Sequence, residues 1–349
     1  MAADNADTAP VRRKRAGSAP TIYDVAKLAG VNPSTVSRAL SQPGRINVKT
    51  EAKIHAAAKE LKYRLNPMAR ALPTGRTNTL GLLIADITNP VIFGIVRGAE
   101  KAATANGYTL VITESQESGE VEAKSAERIQ PAVDALILGT SRLADSQIVA
   151  LAEAKPLVAL NRLIEGVACV MPNLEPGVDQ ALAHLKLLGH ESVLFLAGPA
   201  GSWISTRRWE ALQKGAAERG MTITSIGPNQ PTLDGGQATL SRVIASQATA
   251  VVAFNDIMAI GLLRAAGAQD IAVPGRFSII GFDDSFGSDF TTPPLTTVRS
   301  PLAEAGEIAV TRALELIGAA PGSAGAPIPE QELETELIIR GSTGPAREA

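Results

Sequence analysis

The chain has 349 residues, of which 33 are Lys or Arg and 35 are Asp or Glu, so its formal net charge is only −2. That total hides an asymmetry, because residues 1–76 contain 14 Lys or Arg against 5 Asp or Glu, a charge of +9, while the remaining residues carry −11. A hydrophobic content of 45% excludes disorder of the whole chain, and no apolar run approaches the roughly 20 residues of a membrane-spanning helix.

The first residues, MAADNADTAPVRRKR, lack the apolar core of a secretory signal, so we expect a cytoplasmic protein. One cysteine, Cys169, excludes an internal disulfide framework and lies in an apolar run where a buried packing role is expected. The three histidines are scattered without partners at ligand spacing. We therefore expect no metal site and no cofactor.

Residues 1–19 are polar, lack hydrophobic periodicity and contain the run Arg12 to Arg15, which predicts a disordered basic arm. That run is either a solvated tail or an additional attraction for phosphate, and the residues leave both readings open.

Residues 20–64 show three short helical patterns. The first ends at Gly30, a natural left-handed stop, and the second begins with Asn32 as N-cap and Pro33 at the first helical position. A third helix after Asn47 supplies the rest of a small core. Two short helices joined by a Gly-containing turn are typical of a helix-turn-helix, and the charge of +9 suits DNA phosphates. A basic bundle that contacts another protein is the alternative.

The segments TIYDVA (21–26), AGV (29–31) and STVSRAL (34–40) resemble the DNA-binding head of the lactose-repressor (LacI/GalR) family of bacterial transcription regulators. The exposed face of the second helix would read base edges, and the resemblance places further residues on phosphates. The base-reading set is Pro33, Ser34, Ser37 and Arg38, and Asn32 at the helix start is a further DNA-binding residue; the phosphate set is Thr21, Tyr23, Asn47, Thr50 and Tyr63.

Residues 65–77 form the linker, in which Asn66 to Leu72 could make two helical turns that are too short to be stable alone. The resemblance implies that this hinge helix enters the minor groove as a pair and that Leu72 wedges between base steps, with Ala69 and Arg70 beside it. Without the resemblance, packing would be the favoured role of Leu72.

From Thr79 onward, short apolar runs alternate with amphipathic helices, which predicts parallel doubly wound sheets. The predicted strands are Leu80–Ala85, Tyr108–Ile112, Ala135–Leu138, Leu157–Leu160, Ser192–Leu196, Ala250–Phe254 and Phe277–Gly281. Residues 78–349 are too long for one such unit. We therefore expect a body of two α/β subdomains, an N-subdomain of about 78–174 with 300–328 and a C-subdomain of about 175–299 with 329–349. The family resemblance implies that this body is periplasmic-binding-protein-like.

Ligands of open α/β sheets bind beyond the carboxyl ends of strands, so polar residues after the predicted strands are the candidates. The body, through segments such as NDIMAIG (255–261) and GFDD (281–284), also resembles the family's effector domain. The resemblance gives Arg208, Asn255 and Asp283 as sugar contacts. The remaining candidates are Asp86, Asn89, Phe93, Asn161, Arg162 and Trp203. Helix capping is the alternative for Asp86 and Asn255, and covering the cleft rim is the alternative for Trp203.

The sequence contains no phosphate-binding loop, no dinucleotide fingerprint and no nucleophile elbow, so we do not expect an enzyme. The resemblance implies a homodimeric repressor of a carbohydrate or polyol operon, released from a palindromic operator when a sugar-type effector binds. A regulator with a nucleobase as co-repressor is the first alternative. A sugar-binding protein without a transcriptional role is the second, although it would not need the basic head.

Overall fold

The computed structural model describes residues 20–41, 44–63, 75–319 and 331–347. The chain divides into two compact units, residues 1–77 and 78–349. The predicted basic arm and most of the predicted hinge, with Ala69, Arg70 and Leu72, lie outside the described residues. Within the described part of the chain, no helix is long and apolar enough to cross a membrane.

The described residues of the first unit form three helices, α1 (Ile22–Ala29), α2 (Pro33–Ser41) and α3 (Val48–Glu60). Gly30 ends α1 in the left-handed conformation, with φ 69°, and donates its N–H to the Ala26 carbonyl. At the other end, the Asp24 carboxylate accepts hydrogen bonds from the Thr21 N–H and hydroxyl, each at 2.9 Å. The buried side chains of all three helices form one core, which confirms the predicted head.

The second unit begins with β1 (Thr79–Ile84), α4 (Val91–Ala105), β2 (Thr109–Glu114), α5 (Gly119–Ile129), β3 (Ala135–Gly139), α6 (Asp145–Ala154), β4 (Leu157–Leu160) and β5 (Ala168–Asn173). It continues with α7 (Glu175–Leu187), β6 (Ser192–Leu196), α8 (Trp203–Glu218), β7 (Thr222–Ile226), α9 (Leu233–Gln237), α10 (Leu240–Ser246), β8 (Ala250–Ala253), α11 (Asp256–Gly267), β9 (Ser278–Asp283) and β10 (Thr296–Arg299). The last elements are α12 (Leu302–Gly318), β11 (Gln331–Glu334) and β12 (Glu336–Ile338).

The described strands form two six-stranded sheets. The first sheet has the order β11-β5-β4-β3-β1-β2, and the second has the order β12-β10-β9-β8-β6-β7. Neighbouring strands are parallel except for β10 and β12, which are antiparallel. Strands that are buried on both faces, such as β3 and β8, explain the continuous apolar runs in the sequence. The two-sheet α/β architecture predicted from the sequence is confirmed.

The chain crosses between the sheets three times: after β5, after β10, and at Thr335 between β11 and β12. Thr335 ties the first and third crossings together, because its hydroxyl donates to the Asn173 carbonyl at 2.7 Å and accepts from the Gly177 N–H at 3.2 Å. From the sequence, we expected all of residues 329–349 to belong to the C-subdomain. β11 pairs instead with β5 of the first sheet, so that the return to the second sheet falls at Thr335.

Candidate functional site

A buried ion pair lies at the carboxyl ends of the second sheet's strands. The Arg208 guanidinium on α8 donates through Nη2 to the Asp283 carboxylate at the end of β9, at 2.5 Å, and both side chains are about 95% buried. A second guanidinium nitrogen, Nη1, donates to the Phe254 carbonyl. The guanidinium also lies over the rings of Phe254 and Phe282, with its carbon 5.1 Å and 4.4 Å from the ring centroids. These contacts fix the guanidinium in one orientation.

Two donors beside this pair have no hydrogen-bond partner although they are buried: Arg208 Nε and Asn255 Nδ2. Asn255 is 1% exposed and caps α11, since its side-chain oxygen accepts from the Met258 N–H at 3.1 Å. Capping therefore uses only one end of this side chain, and the amide nitrogen is left over. A buried donor without an acceptor is costly, and a ligand oxygen at this position would remove that cost.

Asp256 supports the residues around this ion pair but does not contact the Arg208 guanidinium among the hydrogen bonds described. Its carboxylate accepts from the Thr297 hydroxyl and from the Ser285 N–H, each at 2.6 Å. The side chain is fully buried, and this burial raises the pKa of Asp256 to about 8. Asp256 thus holds the loop that follows β9, directly after Asp283.

The candidate residues of the first sheet are engaged in local turns. Asp86 accepts from the Thr88 N–H and hydroxyl at 2.8 Å and 2.6 Å, and Asn89 accepts from the Val91 N–H at the start of α4. Asp86 therefore closes a turn before α4 and does not cap the helix, whereas Asn89 accepts from the first N–H of α4. Phe93 stands on the first turn of α4 and is 47% exposed.

Arg162 follows β4 and points into the loop after β3. Its Nη1 donates to the carbonyls of Ser141 and Leu143, and its Nη2 lies 2.6 Å from the Asp145 carboxylate. The preceding residue, Asn161, has a left-handed backbone with φ 57°. These contacts leave Arg162 with only Nε unpartnered in the structure.

The sequence did not single out Glu117, Glu122 and Arg142, which follow β2 and β3. Arg142 Nη2 lies 2.6 Å from a Glu117 carboxylate oxygen, outside hydrogen-bond alignment, so the contact is an ion pair. The Arg142 N–H donates to the buried Glu122 carboxylate at 2.7 Å. The strand-end rule that selected the other candidates would have found these residues if it had been applied after β2 and β3 as well.

Backbone strain is concentrated at the same strand ends. Six non-glycine residues there have positive φ: Gln116, Glu117, Thr140, Asn161, Asp283 and Asp284, with φ between 48° and 96°. Such conformations cost about 1–3 kcal/mol each and are retained where surrounding contacts require them. This concentration of strained backbone at the strand ends of both sheets is typical of a functional site.

Trp203, at the start of α8, is half-buried and packs against the hydrophobic clusters of both sheets. It lines a cavity of about 350 Å³ together with Arg207, Lys214 and the crossing residues 171–175. Arg208, Asn255 and Asp283 do not line this cavity, so it lies beside their cluster and not at it. Trp209 is a packing residue, because its ring stacks on Phe195 with centroids 5.9 Å apart.

In the first unit, the predicted base-reading face of α2 is accessible, since Ser34 and Arg38 are exposed and Pro33 and Ser37 are partly exposed. Asn32, at the start of α2, is exposed as well.

The predicted phosphate-contacting residues differ among themselves. Tyr23 is 70% exposed, whereas Tyr63 packs against the head core and burial raises its pKa. Asn47 caps α3 by accepting from the Lys49 N–H at 2.9 Å, and Thr50 on the first turn of α3 is partly exposed. The Thr21 hydroxyl proton is donated to Asp24, which leaves the hydroxyl oxygen as an acceptor.

A helix-turn-helix head joined to a body of two α/β subdomains with polar strand ends defines a DNA-binding regulator that responds to a small ligand. Family models match residues 21–66 as "Bacterial regulatory proteins, lacI family" and residues 182–343 as "Periplasmic binding protein-like domain". The chain belongs to the LacI family of transcriptional regulators, whose members are DNA-binding regulators and not enzymes.

Several curated relatives match over most of their length. The HTH-type transcriptional regulator DegA of Bacillus subtilis (strain 168) is 32% identical over 82% of this chain and 88% of its own. MalR of Streptomyces coelicolor is 32% identical over 93% of this chain and 97% of its own. The repressor CytR of Escherichia coli (strain K12) is 30% identical over 95% and 99%.

Solved structures match the fold over most of the chain. The lac repressor dimer bound to operator and the anti-inducer ONPF superposes with a TM-score of 0.82 at 26% identity, covering 94% of this chain and all of that one. The complex of the transcriptional regulator CelR with cellobiose gives a TM-score of 0.67 at 27% identity, covering 93% and 100%. A LacI family regulator from Enterococcus faecium with bound ribose gives 0.67 at 25% identity, covering 77% and 100%.

Proposed function

We propose that this regulator is a homodimeric repressor of a carbohydrate or polyol operon and that its effector is a sugar-type molecule bound at the strand ends of the two sheets. The observation that carries the proposal is the pair of buried, unpartnered donors, Arg208 Nε and Asn255 Nδ2, beside the Asp283 carboxylate. Two donors and an acceptor, all fixed by other contacts, suit adjacent hydroxyl groups, each of which both donates and accepts.

The first sheet supplies the other wall of this site, with Asp86, Asn89, Phe93, Asn161 and Arg162 at its strand ends. Trp203 contacts the clusters of both sheets and would therefore sense their separation. The structural neighbours that hold cellobiose and ribose support a sugar as the ligand class.

The head would bind DNA through α2 in the major groove. Pro33, Ser34, Ser37 and Arg38, with Asn32 at the helix start, would read base edges. Thr21, Tyr23, Asn47, Thr50 and Tyr63 would position the head on phosphates, and Ala69, Arg70 and Leu72 would contact the minor groove. Two heads related by a two-fold axis require a palindromic operator.

Effector binding would alter the separation of the two linkers and so release the operator. This requires the effector to bind one state of the body better than the other, by about 1–3 kcal/mol for typical coupling.

The experiment has a DNA arm and a ligand arm. Selection of bound duplexes from a random pool should return a palindrome, and Arg38→Ala should lose sequence discrimination more than affinity at low salt. Enrichment of non-palindromic sites would contradict the dimer proposal.

In the ligand arm, the melting temperature of the full chain is measured with sugars, polyols, sugar acids and nucleobases, and each compound that raises it is tested for operator release. A response to nucleobases with tightened DNA binding would replace the proposal by the co-repressor alternative.

A further inference from the structure

Three largely buried guanidinium groups lie at the strand ends of the two sheets, one from Arg208 on α8 and two from Arg162 and Arg142 in the loops after β4 and β3, and each is paired with a carboxylate. Arg208 lies 2.5 Å from Asp283, Arg162 lies 2.6 Å from Asp145, and Arg142 lies 2.6 Å from Glu117. The described residues of these loops thus carry no uncompensated guanidinium. An anionic group on a ligand would have to compete with a protein carboxylate for every one of them.

Of the two carboxylates paired with a guanidinium on the first sheet, Glu117 is less exposed to solvent than Asp145, so its charge is screened less. The Arg142 side chain is 12% exposed and that of Glu117 is 27% exposed, so this pair is screened less than a surface pair but remains open to a ligand. Arg142 Nη1 donates to the Thr140 carbonyl at 2.8 Å, which holds the guanidinium in place whether or not Glu117 is charged. Arg142 Nε has no partner.

The neighbouring carboxyl group, Glu122, does not replace Glu117. Glu122 is 2% exposed, and its burial raises its pKa, so its negative charge is less favourable than that of an exposed carboxylate. It also accepts from the Arg142 backbone N–H and not from the guanidinium.

Most of the remaining charged groups at these strand ends are acidic, and Arg299 at the end of β10 is itself paired with Asp284 and Glu336, at 2.8 Å and 2.9 Å. Asp86 closes its turn with Thr88, and Glu114 accepts from the Ile87 N–H at 2.9 Å. Neither has a cationic partner among the contacts described. The electrostatic balance of the strand ends is therefore neutral to slightly negative, while several hydrogen-bonding groups remain available.

We propose that the site selects an uncharged, hydroxyl-rich effector over phosphorylated or carboxylated ones, and that Glu117 is the residue on the first sheet that enforces this choice. This inference rests on the proposed function, in which the strand ends form the effector site. It narrows the effector from sugars and their derivatives to neutral sugars and polyols.

The test uses inorganic phosphate as the probe, because it reports on an unpaired guanidinium without requiring the effector to be known. Calorimetric titrations are run at constant ionic strength on the full-length wild type, on Glu117→Gln and on Glu307→Gln. The control removes the same charge from an exposed pair, Lys101 and Glu307, 2.7 Å apart on α4 and α12. All three proteins keep the same basic head, so its phosphate binding cancels in the comparison.

Glu117→Gln should bind phosphate at least about tenfold more tightly than both other proteins, because one charge-assisted contact becomes available. Adding Arg142→Gln to Glu117→Gln should remove the gain. If the glutamine side chain itself binds the guanidinium and hides the gain, Glu117→Ala should show it instead. Circular dichroism confirms that each variant is folded. Equal phosphate affinity in Glu117→Gln, Glu117→Ala and Glu307→Gln would overturn the proposal. So would an Arg142→Gln single variant that binds phosphate more weakly than the wild type.

A second arm compares each sugar that raises the wild-type melting temperature with its phosphate ester. The ester should bind at least about tenfold more weakly to the wild type, and the gap should narrow in Glu117→Gln. Tighter binding of the ester than of the sugar by the wild type would also refute the proposal that the site selects an uncharged effector. If neither sugars nor esters bind, the proposed effector function fails, whereas the phosphate titration still decides the role of Glu117.

Discussion

The strand ends of the second sheet and those of the first are built differently. On the second sheet, Arg208, Asn255 and Asp283 are almost fully buried, and their orientation is fixed by contacts with neighbouring rings, a helix N-terminus and one another. On the first sheet, Asp86 and Phe93 are more exposed, and the polar groups close turns within their own loops.

This difference separates two tasks within one site. A buried and preorganised cluster loses little freedom when a ligand arrives, so it can supply most of the affinity. Exposed side chains on short turns can be exchanged without disturbing the core, so they can set which ligand is accepted. The four predictions that follow, ordered from the largest expected effect to the smallest, test this separation.

Replacement of the buried guanidinium should have the largest effect. Arg208→Ala leaves the Asp283 carboxylate buried without its partner, so we expect the free energy of unfolding to fall by about 3–5 kcal/mol and the effector response to be lost. Denaturant titration and effector-dependent melting measure the two effects. The matched control is Arg207→Ala, which breaks an exposed pair with Glu210 and should cost at most about 1 kcal/mol. Similar losses in the two variants would contradict the distinction between the buried cluster and the surface.

The second prediction concerns pH and the support under the buried cluster. Because the pKa of Asp256 is raised to about 8 in the folded protein, its contribution to stability is fully present below the unfolded pKa and is lost as pH rises toward 8. The slope is at most about 1.4 kcal/mol per pH unit. Asp256→Asn keeps an acceptor for the Ser285 N–H and removes the titration. Its stability relative to the wild type should therefore rise between pH 5 and pH 8. Parallel pH profiles of the two proteins would show that Asp256 does not titrate in this range.

The third prediction separates the two ends of Asn255. Asn255→Ala removes the cap of α11 and should lower the free energy of unfolding by about 1 kcal/mol. Asn255→Asp keeps the capping oxygen but lacks the N–H₂ donor, so it should retain most of the cap and still weaken effector binding. If Asn255→Asp binds the effector as well as the wild type, the unpartnered amide is not a ligand contact.

The smallest stability effect is expected on the first sheet. Asp86→Ala opens one turn at a partly exposed position and should change the free energy of unfolding by about 0.5 kcal/mol or less. Its effect on effector affinity should be about threefold to tenfold, the value of one hydrogen bond. A stability loss as large as that of Arg208→Ala would mean that the two sides of the site are built alike.

The sequence predicted the head well because its signals are local. Gly30, Asn47 and the helical spacing of buried residues each act within one turn of helix, and the structure has the corresponding helices. In the body, Leu157–Leu160 and Ser192–Leu196 were predicted with the observed bounds, since both are continuous buried runs.

Two of the strands that were not among those predicted, β7 and β11, lack this signal. β7 is half exposed at one sheet edge, and β11 has the polar sequence Gln-Glu-Leu-Glu, so neither shows a continuous apolar run. β11 also lies far along the chain from its partner β5. Its place in the first sheet depends on tertiary pairing, which no local pattern reports.

The candidate site shows the same division. Strand ends could be read from the sequence, and so could the residue types that follow them. The pairing of Glu117 with Arg142 could not, because β2 and β3 are brought to the two sides of β1 only by the order of the sheet. Which donors remain without partners, as at Arg208 and Asn255, likewise depends on three-dimensional packing.

The position of β11 also sets the order in which the nascent chain can fold. β1 to β5 leave the ribosome early, yet the free edge of β5 has no partner until residues 331–334 have been synthesised. β12, which pairs with β10, follows after a single residue. During synthesis the head can fold as soon as it emerges, whereas both sheets of the body gain their sixth strand almost simultaneously. The DNA-binding head can thus fold before the ligand-binding body is complete, by most of the translation time.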